Sequence, residues 1–164
     1  MKRTLCMTAA AVLLSAGVAG AQTTLGSQNV TATAFVGNQA RLTVTGTVTF
    51  PDSDPDTVPS IPATGPVSVA ARARVAPSTQ LDVTVRAGAS FFDPGTDSIP
   101  ATALSWTASG APFVGGSMAT TDQSVATWTG PANQTGDQNY SLTNAWTYVP
   151  GTYNLTLIYT LSTP

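Results

Sequence analysis

The chain has 164 residues, of which 42% are hydrophobic, enough for a core, while 9% are charged, against about 25% in a typical domain. Six Lys and Arg stand against eight acidic residues; all eight are Asp, His is absent, and Lys2 and Cys6 are the only residues of their kinds. That inventory excludes His-based triads, thiolate nucleophiles, Cys/His zinc sites and Glu general acids, and an acidic balance leaves no basic surface for nucleic acid.

The first element is a leader. Lys2 and Arg3 supply a positive start, Leu5 to Val18 carries no charge, and Ala19-Gly20-Ala21 places small residues where a signal peptidase reads. The expectation is a secretory signal peptide over residues 1–21, cut between Ala21 and Gln22. The apolar run is too short to span a bilayer. Cys6 precedes that run and leaves with the leader. The mature domain, 22–164, then keeps four Arg against eight Asp and no Cys, so its core alone must hold it together. A secreted or periplasmic product follows, with no transmembrane segment after cleavage.

From there period two dominates. Val30, Ala32, Ala34 and Val36 alternate with Thr31, Thr33 and Phe35. Leu42, Val44, Val48 and Phe50 alternate with threonines, and Gly46 marks a bulge. Pro51 to Pro66, rich in Pro and Asp, reads as an exposed crossing between sheets. Val67, Val69, Ala71, Ala73 and Val75 share a face opposite Arg72 and Arg74, whose charges would guard an edge strand. Leu81, Val83 and Val85 oppose Asp82, Thr84 and Arg86, and 93–97 reads as a turn.

The second half continues with strands expected over Ala103–Ser109, Gln123–Thr129, Asn139–Tyr148 and Thr152–Ser162. Val149-Pro150-Gly151 would join the last two as a hairpin. No segment of the expected mature chain keeps a helical period over two turns. Seven to nine short strands separated by Pro and Gly predict an all-β, immunoglobulin-like antiparallel sandwich.

Four stretches of the second half carry a further pattern. Ser105-Trp106-Thr107-Ala108 and Ser124-Val125-Ala126-Thr127-Trp128 are followed by Asn144-Ala145-Trp146, and the chain closes with Tyr159-Thr160-Leu161-Ser162-Thr163-Pro164. This half resembles the WxL-type domains of secreted bacterial surface proteins. In that family two Trp-x-Leu motifs lie on strands and the domain attaches noncovalently to the cell wall. Here Ala108 stands at the Leu of the first motif, and Tyr159 at the Trp of the second.

Two candidate sites remain. Trp106 shares a face with Leu104 and Trp146 with Leu142, so both are expected in the core. Trp128 shares a face with Ala126 and Ser124, opposite Val125. It is the tryptophan expected at the surface, where, aided by Tyr140 or Tyr148, it could stack on a sugar ring. Asp52, Asp54 and Asp56 space three carboxylates two apart, the ligand type that calcium takes. The EF-hand pattern would need Gly and Glu where Thr57 and Ala63 stand, so solvated loop charge is expected and no metal site is assigned. No cofactor and no catalytic residue is expected. The function read from these residues is a non-catalytic surface protein, structural or adhesive, that self-associates or binds the cell wall. One form of it donates the strand Gln28 to Val36 to a neighbour's open sheet edge. The alternative is a carbohydrate-binding module.

Overall fold

A computed structural model describes residues 28–92 and 98–164. The leader, its cleavage point at Ala21 and Gln22, and the turn at 93–97 lie outside the described residues. Among the described residues eleven strands run in chain order: β1 (Gln39–Thr45), β2 (Ser60–Pro62), β3 (Val67–Arg74), β4 (Gln80–Ala87), β5 (Phe91–Phe92), β6 (Ile99–Pro100), β7 (Leu104–Ser109), β8 (Gly116–Ser117), β9 (Gln123–Thr129), β10 (Ala132–Thr143) and β11 (Leu157–Ser162). Seven of them have six residues or more. The helical element among the described residues is a single 3-10 turn, Ala101–Ala103.

All the pairings are antiparallel. A six-stranded sheet has the order β1-β3-β10-β7-β8, with β2 paired to the far end of β10. A three-stranded sheet has the order β11-β4-β9, and β5 pairs with β6. The long β10 is the spine of the first sheet: β3 and β2 share one of its edges and β7 takes the other.

Alternation explains why these layers stack. Val67, Val69 and Ala71 of β3 are buried while Ser68 and Arg72 are exposed. Leu81, Val83, Val85 and Ala87 of β4 are buried from the facing sheet. One cluster unites both rows with Leu104, Trp106, Val125, Trp128 and Tyr140, the interdigitated core of a sandwich. Each large apolar side chain buried there contributes about 1.5–3 kcal/mol.

Several expectations are corrected. The first mature segment, Val30 to Val36, forms no strand; alternation makes a strand only where an edge supplies the hydrogen bonds. The chain's two units divide at Phe35 and Val36, and the sandwich belongs to the second. β1 begins at Gln39 and stops before Gly46, whose φ of +117° turns the chain away. The segment 51–66 does not cross between sheets. It returns to the same sheet through β2, with Ile61 buried. β3 is an interior strand, so Arg72 and Arg74 guard no edge: their guanidinium Nε atoms donate to Asn133 Oδ1 at 2.9 Å and to the Gly37 carbonyl at 3.0 Å. The hairpin at Val149-Pro150-Gly151 is absent as well. β10 ends at Thr143, and 144–156 carries the chain from one sheet to the other.

Candidate functional site

The two open sides of the sandwich differ. On one side the connection between β7 and β8 closes it: Phe113 bridges to Ala126 of β9, and the Val114 N–H donates to the Val125 carbonyl at 2.8 Å. On the other side lie the outermost strands of both sheets, β1 and β11, each paired along one edge only among the described residues. Between them runs a groove of about 1590 Å³ whose lining is apolar and polar in similar measure. Leu42 and Val44 of β1 form one wall, Leu157 and Tyr159 of β11 the other, and Leu104 and Leu142 reach it from the core.

Two loops shape the mouth. Gly46 lets the chain leave β1 close against β3: a Cβ there would lie 2.7 Å from the Pro66 carbonyl oxygen. The following loop is tightened by Asp54, whose Oδ1 accepts from the Asp56 N–H at 2.9 Å while its carbonyl accepts from the Val58 N–H at 2.8 Å. Asn144, just past β10, donates its side-chain amide to the carbonyls of Ser53 at 2.9 Å and Val58 at 3.1 Å. Trp146 Nε1 donates to Asp56 Oδ1 at 3.0 Å. The acidic loop is thus pinned to the crossing segment. Asp54 and Asp56 serve the loop's own structure, and among the described residues no group of three carboxylates converges on a point.

The aromatic candidates are redistributed. Trp128 is only 9% exposed, and its register partner is the inward Leu81. The reason is a bulge. Ser124 pairs with Thr84 and Ala126 with Val83, so Val125 is an extra residue that reverses the parity of the strand, and Val125, Ala126 and Trp128 all turn inward. Tyr140 is also buried, against Trp106 with ring centroids 5.9 Å apart. Tyr148 is partly buried and lines the groove. The sugar platform of Trp128, Tyr140 and Tyr148 is therefore not assembled. Trp106 lies in the core as expected, its Nε1 donating to the Val114 carbonyl at 3.0 Å. Trp146 does not: it is 71% exposed, because the strand ends before it and Asn144 to Tyr148 form a turn. Trp146, Tyr148 and Tyr153 all line the groove.

A buried polar cluster backs the groove wall. Gln138, fully buried, accepts at Oε1 from Tyr140 at 3.2 Å and from Tyr159, and the two phenol oxygens lie 2.6 Å apart. Burial raises the pKa of both phenols, and that of Tyr159 is pushed up to about 12. Both stay neutral donors at ordinary pH. Burial raises the pKa of Tyr148 too.

No family model, curated protein or solved structure matches this chain. Function must be argued from the groove itself. Its carboxylates are Asp52 and Asp54, both exposed on one loop, and its remaining walls are apolar, aromatic or uncharged polar. Such a surface suits an uncharged partner that brings both apolar side chains and hydrogen-bonding groups. Sequence reading located the apolar stripes of β1 and β11 but not the space between them. The signal available was the pair of Tyr- and Leu-bearing runs flanking a Pro-Gly turn.

Proposed function

We propose that this chain is an exported, non-catalytic surface protein with a structural or adhesive role, acting by association through its groove. The observation that carries this reading is the groove's position between two outer strands that each lack a partner on one side. At about 1590 Å³ it exceeds the roughly 300–1,000 Å³ usual for a small-molecule pocket, so it suits a polymer segment better than a metabolite. The positive, apolar and small-residue layout of 1–21 supports export. The resemblance to WxL-type domains supports cell-wall contact as one form of the association; Tyr159-Thr160-Leu161, which carries its second motif, lies on β11 beside the groove.

The test is sedimentation velocity and electron microscopy of the chain beginning at Gln22, alone and with isolated cell walls. Association that grows with concentration, or co-sedimentation with the wall, is the expected result. A monomer at every concentration that ignores the wall overturns the reading.

A second reading, carbohydrate binding, has its own observation: Trp146 stands exposed on a groove that Tyr148 and Tyr153 also line. An exposed indole offers a flat face for a sugar ring. Binding to a purified wall polysaccharide that falls at least about tenfold, or about 1.4 kcal/mol, in Trp146→Ala supports it. Equal binding by the variant removes it.

A further inference from the structure

The partner that this groove best fits is a second copy of the chain. β11, Leu-Ile-Tyr-Thr-Leu-Ser, contains no charge, no Pro and no Gly. Strands exposed at sheet edges usually carry one of these, or a bulge, to prevent pairing with other chains. β1 does carry a charge, Arg41. β11 is therefore the unguarded edge, and it is an outer strand of the smaller, three-stranded sheet.

The same chain contains a matching strand that lacks a partner. Residues 28–38 form no strand, and Val30, Phe35 and Val36 are 91%, 95% and 65% exposed. Yet this segment has strict period two, with Val30, Ala32, Ala34 and Val36 on one face. Residues 22–40 contain no ionisable side chain, so nothing electrostatic opposes their approach to the uncharged β11. Nine extended residues span about 30 Å at about 3.3 Å each, longer than the roughly 20 Å of β11.

We propose that residues 28–36 of one copy add to β11 of a second copy as a strand, turning Val30, Ala32, Ala34 and Val36 into its groove and Thr31, Thr33 and Phe35 outward. Backbone hydrogen bonds to the unpaired edge supply affinity, and the alternate side chains supply register. This assignment rests on the self-association reading and specifies its geometry. Because donor and acceptor are different surfaces, the contact is head-to-tail and builds open chains unless its rotation closes a ring.

The parity of the donor gives the test. In the chain beginning at Gln22, Ala34→Asp places a carboxylate in the groove, whereas Thr33→Asp places one in water. Association constants from sedimentation equilibrium should fall at least about tenfold for the first and less than about threefold for the second, with thermal unfolding of the sandwich unchanged in both. A synthetic peptide of residues 28–36 should bind the chain beginning at Gly37, itself monomeric, and inhibit association of the longer chain. Equal losses from the two substitutions, a peptide that does not bind, or a chain beginning at Gly37 that still associates each overturn the donated strand. The last result would mean direct pairing of β11 edges and would leave self-association standing. A chain from Gln22 that never associates removes both.

Discussion

At the residue scale, the cluster of Gln138, Tyr140 and Tyr159 links groove to core and titrates where few other groups do. In an unfolded chain a phenol loses its proton near pH 10; in the folded protein burial holds both protons on to higher pH, to about 12 for Tyr159. Their contribution to stability is therefore complete below pH 10 and is lost as pH rises from 10 through 12. Urea unfolding from pH 8 to 12 should show this decline, and Tyr159→Phe should make it shallower, leaving the part that belongs to Tyr140. At pH 7 the same variant should cost about 1 kcal/mol, the value of one hydrogen bond to Gln138, since Tyr140 still donates. Parallel declines in variant and parent would place the alkaline transition elsewhere.

At the scale of elements, the glycine after β1 sets the mouth of the groove. Gly46→Ala combines a φ of +117° with a Cβ 2.7 Å from the Pro66 carbonyl oxygen, so about 1–3 kcal/mol of stability should be lost. A lower urea midpoint with an unchanged slope is the expected signature. An unchanged midpoint would show that the turn relaxes freely.

This scale also marks how far the amino-acid sequence could be read. β3 and β4 were legible because their buried rows are unbroken, from Val67 to Ala71 and from Leu81 to Ala87. β9 was legible in its bounds but not its facing. Its bulged Val125 reverses the parity midway, and nothing in the local pattern announces an extra residue that only the pairing with β4 defines. Trp146 was misplaced for a related reason: the alternation of Tyr140, Leu142 and Asn144 continues past the last ladder residue, Thr143. The groove was least legible of all. It lies between strands of different sheets, and local periodicity carries no record of which edges meet.

At the scale of the whole molecule, sparse charge becomes a property of assembly. Neither the donor segment nor β11 carries a charged side chain at neutral pH, and the groove's carboxylates, Asp52 and Asp54, meet no cation on the donor. Association measured between about 0.05 and about 0.5 M sodium chloride should therefore change less than about threefold, because there is no charge pair to screen. Sodium sulfate should strengthen it by favouring burial of apolar surface. A steep loss with sodium chloride would point to an ionic contact at another surface, such as the exposed Arg86 and Asp122 pair, 3.7 Å apart.

The covered flank at Phe113 has a consequence for growth. With β9 already bridged there and β1 carrying the charge of Arg41, the proposed contact leaves β11 as the one berth a copy offers to its successor. A row built this way cannot branch, and its two tips are chemically unlike, one presenting a vacant seat and the other a loose tail. A short soluble decoy of the tail would therefore fill the vacant seat of the row and the seat of every free copy, and halt elongation at both tips.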